Sequence, residues 1–220
     1  RKVYDQFTWR NPGPGFEQTP DHPVCGIFLH NVRMFCAWLT WKERLEGRIS
    51  DTQLYRLPTS DEWSLGSGRR NKDAATEVLL SALASGDPGA TANFAGPEVF
   101  LSDRASGQNH LERSDPFPRT APVGSFAPNV FGLYDVSGNL AEWTDTEAPP
   151  DESTPNIRHF YIRGGSWGTT TPLNCRLEHR RSSRMNATYP TLGFRIVLDL
   201  QPARPQPQEV MGFTSESEPE

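Results

Sequence analysis

Apolar side chains recur at helical spacing near the start of the chain. Four of them occupy positions i, i+3, i+4 and i+7 of one helical face: Val32, Phe35, Cys36 and Leu39. This spacing predicts a helix that starts at Asn31. We predict that this helix ends at Gly47, because glycine favours the end of a helix.

Two further segments show helical patterns. Thr59 and Glu62 form the T-x-x-E pattern of a capping box directly after Pro58, so we predict that a second helix starts there. A third apolar pattern covers Asp73 to Ala84 and stops at the turn residues 85–88. Short apolar runs predict three strands. The predicted strands are Gly132–Asp135, Phe160–Gly164 and Gly193–Asp199.

Between these segments the chain is rich in turn residues. It has 18 glycines and 20 prolines in 220 residues, which predicts much irregular backbone. Residues 86–118 read as a loop, and residues 201–220 consist mainly of prolines, acids and small polar side chains. We therefore predict one α+β domain over residues 1–200, followed by a disordered tail over 201–220.

The net charge and the number of cysteines limit the classes of protein to which the chain can belong. The net charge of −5 argues against nucleic-acid binding, which needs clustered cations. No stretch has the apolar length of a membrane span. Three cysteines do not form a disulfide framework, and they favour a reducing compartment such as the cytoplasm. The five histidines lack metal-binding spacing.

Five blocks of glycines, aromatics and acids carry a family resemblance. They are YRLPTSDEW (55–63), APVGSFAPNVFGLYDVSGNLAEW (121–143), IRGGSW (162–167), N-C-R (174–176) and GFR (193–195). In this order they resemble the sulfatase-modifying-factor family, which includes the formylglycine-generating enzyme. The resemblance implies an α+β fold of the C-type-lectin-like type, with little regular secondary structure.

The start of the chain also resembles part of that family. The family's opening strand segment is missing, and the stretch WRNPGPGFEQTPDHPV (9–24) is similar to bacterial proteins in which such a module follows a serine/threonine kinase domain. Two explanations stay open. The missing strands lie upstream in a larger bacterial signalling protein, which is the one we expect, or the chain is a shortened version of the fold.

The resemblance implies two calcium sites. Calcium binds six to eight hard oxygen atoms, from carboxylates and backbone carbonyls. The first set pairs two acids with two carbonyls around a turn: Asp135, Gly138, Leu140 and Glu142. From the sequence alone, an Asx turn is the ordinary interpretation of this segment. The second set matches in the same order: Asn93, Phe94, Asp115 and Phe117. For Asn93 an ordinary turn residue is an equal alternative.

The same resemblance predicts no copper-dependent oxidation. Family enzymes bind copper(I) through two cysteines after their R-G-G-S block, and copper(I) selects soft thiolates. Here the two matching positions fall at Trp167 or Gly168 and near Pro172. Neither position holds sulfur. We predict that Cys175 and Cys36 are core residues.

A non-catalytic module that binds a protein or a small ligand is therefore the expected function. The expected ligand-binding residues lie along the former catalytic cleft: Trp167, Thr169, Thr170, Thr171, Arg176 and Arg180. Two alternatives stay open. One is a formylglycine-generating-type oxidoreductase with a remodelled centre, and the other is a C-type-lectin-fold binding protein diversified by retroelements.

The arginines near residue 180 allow two interpretations. Arg176, Arg180, Arg181 and Arg184 recur about four residues apart, as on one helical face or one irregular ledge. In the structural interpretation, they bond Glu178, Asp145 or backbone carbonyls. In the functional one, they bind an acidic ligand. We predict that Arg180 is structural and that Arg176 lies nearer the surface.

Overall fold

A computed structural model describes residues 9–13, 16, 18–68, 92–96 and 115–200. The statements below concern these residues. Three sequence predictions fall wholly or mostly outside them: the helix from Asp73 to Ala84, the loop over 86–118 and the tail over 201–220. The described elements, in chain order, are α1 Leu29–Leu45, β1 Leu54–Arg56, α2 Ser60–Gly66, β2 Ala141–Ala148, β3 His159–Arg163, α3 Pro172–Cys175, β4 Arg181–Arg184, β5 Leu192–Phe194 and β6 Val197–Asp199.

Helix α1 confirms the first predicted helix and begins two residues earlier than expected. Leu29, Val32 and Cys36 are buried in the main core. Thr40 joins the helix to β1, because its hydroxyl donates to Cys36 O at 2.8 Å and accepts from Tyr55 N at 2.8 Å. The helix is thereby fixed to the first strand.

Helix α2 starts at the predicted capping box. Thr59 Oγ1 accepts from Glu62 N at 3.1 Å, and the Glu62 carboxylate accepts from Thr59 N at 2.8 Å. These two bonds satisfy backbone donors that the first turn of a helix leaves unpaired. The helix buries Trp63, which lies beside the centre described below.

A four-stranded sheet in the order β4-β3-β2-β5 forms the middle of the domain. Strand β2 pairs antiparallel with β3 and parallel with β5. Strands β1 and β6 form a separate antiparallel pair. The main core lies between α1 and the sheet, and its largest side chains are Trp143, Phe160, Ile162, Leu192 and Leu29.

Two of the three predicted strands are found with changed boundaries, and the third prediction is wrong. Strand β3 confirms the segment Phe160–Gly164, whereas Gly193–Asp199 divides into β5 and β6, which belong to different sheets. Residues 132–135 form no strand. The Asn129 side chain accepts from Phe131 N and Leu133 N, and these bonds fold the chain into a turn.

The arginine run is not one helical face, because α3 ends at Cys175 and Arg181 begins strand β4. In the part of the chain that the structure describes, no helix combines the length and the apolar character that a membrane span requires.

Candidate functional site

A buried carboxylate lies at the start of β2, where three elements meet. Glu142 is buried and accepts from Trp63 Nε1 of α2 at 2.7 Å. It also accepts from Arg195 Nε at 2.5 Å and from Arg195 Nη2 at 2.6 Å. Arg195 follows β5, and its Nη2 donates to Tyr134 O at 3.1 Å. Burial lowers the pKa of Arg195, but attraction to Glu142 and the bonds to it outweigh burial and raise the pKa.

Asp135 lies close to this carboxylate in an unusual backbone conformation. Its φ is 52°, in the left-handed region that few residues other than glycine adopt. Its Oδ2 accepts from Gly124 N at 2.9 Å, while its buried Oδ1 has no hydrogen-bond partner. Burial raises the pKa of the Asp135 carboxyl, and the charge of Glu142 adds to this effect. An unsatisfied buried carboxylate oxygen is costly, and a bound cation would remove that cost.

The second predicted calcium set lies directly against the first. Asn139 N donates to Asn93 O at 2.8 Å. A Cβ atom on Gly138 would come within 2.5 Å of the same carbonyl oxygen, so only glycine fits there. The two predicted sets are therefore neighbours in one buried region.

Within the second set, Asn93 is fully buried. Its Nδ2 donates to Arg119 O at 2.6 Å, while its Oδ1 has no hydrogen-bond partner. Asp115 Oδ1 accepts from Phe117 N at 2.8 Å, as in an Asx turn. Phe94 is buried, and the Phe117 ring packs edge-on against Phe126.

The two sets differ in how well they suit a metal ion. Within the described residues, no three His, Cys, Asp or Glu side chains lie close enough to hold a metal. Calcium would therefore depend on amide and carbonyl oxygens as well as carboxylates. The Asn93 set fits such an ion, since Asn93 Oδ1 is buried and has no hydrogen-bond partner. In the Asp135 set, Arg195 already supplies the positive charge opposite Glu142.

Trp167 is one of the two residues, with Gly168, that the resemblance matches to the first family cysteine. Trp167 is buried against Cys25 and Leu140, and its Nε1 donates to Pro190 O at 3.2 Å. Phe16 packs edge-on at a centroid distance of 5.6 Å, and the Arg119 guanidinium lies 4.9 Å from the centroid of the indole ring. Pro172, at the second position, begins α3. Packed side chains thus surround the Trp167 indole.

The three cysteines are free and lie in three separate core clusters. Burial raises the pKa of the Cys25 and Cys175 thiols to about 12, and that of Cys36 to about 11. Cys175 Sγ donates to Thr171 O at 3.4 Å. Thiols with such pKa values stay protonated near neutral pH, and a protonated thiol is a poor nucleophile and a poor metal ligand.

The expected ligand-binding residues fall into two groups. Trp167 and Thr169 are buried, and Thr169 Oγ1 accepts from Ser166 N at 2.9 Å. Thr170 is half-buried, whereas Thr171, Arg176 and Arg180 are exposed. Thr171, Arg176 and Arg180 are therefore the residues presented to solvent, and their binding role stays a prediction.

Arg180 does not make the contacts that its predicted structural role required. It is exposed and donates to Asp61 at 2.7 Å, rather than to Glu178 or Asp145. Asp145 instead pairs with Arg33. Arg176 is exposed, as predicted.

The buried arginine of the site is Arg163, which sequence reasoning missed. Its Nη2 donates to Leu177 O at 2.6 Å and to Ser64 Oγ at 2.9 Å, and its Nη1 donates to Ser60 Oγ at 3.2 Å. Its guanidinium also lies 4.7 Å from the centroid of a Trp63 ring. The available signal was a charged residue, Arg163, next to the last residue of the predicted strand Phe160–Gly164.

The fold and this centre define an α+β domain of the C-type-lectin-like, formylglycine-generating-enzyme type. The chain belongs to the family of sulfatase-modifying factor enzyme 1-like domains, whose model matches residues 2–200. It is 25% identical over 206 residues to the inactive C-alpha-formylglycine-generating enzyme 2 of Bos taurus, covering 85% of this chain and 54% of that protein. The chain thus spans about half the length of that curated relative.

Two further comparisons support the assignment. The serine/threonine-protein kinase pkn1 of Chlamydia caviae is 26% identical over 194 residues, covering 83% of this chain and 24% of the kinase. The crystal structure of CarF superposes with a TM-score of 0.56 at 21% identity, covering 90% of this chain and 74% of that one. The latter likeness shows the fold alone.

Proposed function

We propose that this chain is a non-catalytic binding domain of its family. One observation carries the proposal: the positions that the resemblance matches to the family's two cysteines, Trp167 or Gly168 and the neighbourhood of Pro172, hold no sulfur, and the three thiols are buried in separate clusters. Copper(I) chemistry needs thiolates held close together. The relative from Bos taurus, which is named as inactive, is consistent with a family member that does not oxidise thiols.

The binding surface in this proposal is the exposed segment from Thr171 to Arg180. Cys175 and Leu177 are buried within it and anchor it to the core. Thr171, Leu173 and Arg176 face solvent. Arg176 makes no salt bridge to the described residues, so its guanidinium is available to a carboxylate. We therefore expect a ligand with an acidic group, such as an acidic peptide.

The kinase comparison extends this proposal to a protein context. A domain of this type occupies about a quarter of the chlamydial kinase. We propose that the present chain likewise serves as the recognition part of a larger bacterial signalling protein.

Incubation with copper, oxygen and a peptide containing C-x-P-x-R tests the absence of catalysis. Mass spectrometry should find the peptide thiol intact. Turnover that Cys175→Ser abolishes, and that Cys36→Ser leaves unchanged, would identify Cys175 as a nucleophile and favour the remodelled oxidoreductase. Turnover that survives both substitutions would place the reaction at another centre. Either result contradicts the proposal.

Binding is tested with an array of acidic peptides and matched neutral peptides. The domain should retain acidic peptides, and Arg176→Ala should weaken retention at least fivefold with an unchanged melting temperature. Arg184→Ala, an exposed arginine on β4, is the matched control. Equal retention of acidic and neutral peptides, or equal binding by the Arg176 variant, would overturn the proposed surface.

We also propose that calcium stabilises the domain mainly through the Asn93 set, and that the Asp135 set, with Glu142, holds a second ion. The supporting observations are the two unpaired buried oxygen atoms, Asn93 Oδ1 and Asp135 Oδ1. Because Arg195 already faces Glu142, the Asn93 set should bind more tightly.

Melting with calcium and with chelator tests this second proposal. At a hundredfold excess over the dissociation constant, one ion should stabilise the domain by about 2.7 kcal/mol. Asn93→Ala should remove most of the calcium response, whereas Asp135→Asn should remove less. Identical melting with calcium and with chelator would contradict both sites.

A further inference from the structure

An open groove of about 1040 Å³ lies between α1 and β1. Its walls include Trp41 and Leu45 of α1 and Leu54 of β1, and Asp145 of β2 lies at one side. None of the residues that line it belongs to the predicted metal sets or to the expected ligand-binding residues. The groove is therefore a feature that the proposed function does not use.

One cation of the groove has no carboxylate partner among the described residues. Four arginines and two aspartates line the groove. Three of the arginines are paired with carboxylates: Arg33 with Asp145, Arg56 with Glu62 and Asp199, and Arg158 with Glu147. Arg44 donates to Gln53 O at 2.7 and 3.1 Å, and in the described part of the chain no carboxylate lies within salt-bridge distance of it. Arg44 therefore offers a positive charge to an acidic occupant.

The rim of the groove is apolar and exposed. Trp41 is 61% exposed and Leu45 is 73% exposed. These two residues lie four positions apart on α1, so their side chains cover one face of the helix. Large exposed apolar side chains beside a charged groove are typical of a surface that another segment covers.

The end of the described fold lies beside this groove. Strand β6 ends at Asp199, which pairs with Leu54 in the groove wall. The residues beyond it have a complementary composition. Residues 205–220 contain four glutamates and no lysine or arginine, together with Val210, Met211 and Phe213.

The length of this segment suits the groove. The nine residue-to-residue steps from position 200 to position 209 can span up to about 30 Å. The part of α1 from Arg33 to Leu45 is about 18 Å long at 1.5 Å per residue. The segment can therefore reach every part of the helix wall.

We propose that residues 209–220 of the same chain dock in this groove. Val210, Met211 and Phe213 contact the exposed rim at Trp41 and Leu45. The glutamates that follow lie near the Arg44 guanidinium. In this arrangement the chain covers its own apolar helix face.

Photo-crosslinking of the full chain tests the proposal. p-Benzoylphenylalanine replaces Phe213, and mass spectrometry identifies the attachment points after irradiation. We expect crosslinked monomers with attachment at Trp41, Leu45 or Leu54. The triple variant Glu216→Lys, Glu218→Lys, Glu220→Lys should lower the yield at least fivefold, and so should Arg44→Glu. Arg184→Glu, on strand β4 and outside the groove, is the matched control and should not change it.

Three results would overturn the proposal. Crosslinked dimers would show that a second copy contacts the segment. Attachment outside the groove, or no attachment, would show that the segment does not dock there. A yield that the charge reversals leave unchanged would contradict the electrostatic part. The triple variant alters only residues beyond the described fold, so it decides the question even where Arg44→Glu prevents folding.

Discussion

Two groups of arginines in this domain have opposite surroundings. Arg163 is 1% exposed and donates to two serine hydroxyls and a backbone carbonyl. Arg195 holds the buried carboxylate of Glu142. Arg176 and Arg180 lie on the surface, and the partner of Arg180 is an aspartate whose side chain is 83% exposed. The same side chain thus joins elements in one region and faces solvent in the other.

This difference in burial distinguishes arginines that stabilise the fold from arginines that can bind a ligand. A buried guanidinium supplies donors to acceptors that water cannot reach, so its loss leaves those acceptors unpaired. An exposed guanidinium exchanges one partner for water at little cost. The buried Arg163 and the partly buried Arg195 therefore maintain the structure, while the exposed Arg176 and Arg180 can contact a ligand without weakening the domain.

The largest effect is expected at Glu142. Glu142→Ala removes the carboxylate shared by Arg195 and Trp63 Nε1 and leaves a partly buried cation unpaired. Breaking a buried ion pair costs about 3–5 kcal/mol, and urea unfolding measures this loss. Glu147→Ala is the control, because Glu147 forms an exposed pair with Arg158 and its loss should shift the urea midpoint little. Equal midpoints for the two variants would show that the Glu142 network does not hold the domain.

A somewhat smaller effect is expected at Arg163. Arg163→Met keeps much of the side-chain volume but removes the donors to Leu177 O and the serine hydroxyls. At about 1–3 kcal/mol for each unsatisfied buried group, we expect a loss of roughly 2–4 kcal/mol in urea unfolding. Arg184→Met is the surface control on β4. A loss below that of the control would place Arg163 with the surface arginines.

The sequence predicted what depends on near neighbours. Helix α1 follows from apolar spacing, and the start of α2 follows from a box in which Thr59 and Glu62 are three residues apart. The role of Arg163 could not be predicted, because its acceptor Ser60 lies 103 positions away. The strand predicted at 132–135 failed because the Asn129 side chain competes for backbone donors there.

The predicted sites show the same limit. The resemblance brought the Asn93 and Asp135 sets into consideration, and the fold places them side by side. The sequence did not indicate that Arg195 faces Glu142, since the two are 53 residues apart. Nor did it indicate that Trp167 is buried, because an aromatic residue after glycines suits either a core or a cleft.

The partly exposed ion pair of Glu62 and Arg56 should make the stability of the domain depend on pH. Glu62 accepts two bonds from Arg56, and these bonds, with the capping bonds from Thr59, lower its pKa to about 2. The folded pKa is below the unfolded value, so this stabilisation is full above about pH 4.5 and is lost as the pH falls towards 2. Since the Glu62 side chain is 40% exposed, the contribution should stay below about 1 kcal/mol.

Urea unfolding of wild type and Glu62→Gln at pH 7 and pH 3 measures this contribution. The wild type should lose more stability than the variant between the two pH values. Asp61→Asn, on an exposed neighbour, is the control and should follow the wild type. A parallel loss in wild type and Glu62→Gln would show that the Arg56–Glu62 pair contributes nothing to the acid response.

The smallest effect is expected at Arg180. Its guanidinium contacts the exposed Asp61 and lies 5.7 Å from the Tyr161 ring centroid. Arg180→Ala should therefore cost less than about 1 kcal/mol, well below Arg163→Met in the same urea series. A loss as large as that of Arg163→Met would restore the structural role expected from the sequence. A variant that unfolds like wild type but retains acidic peptides less well would instead assign Arg180 to the binding surface with Arg176.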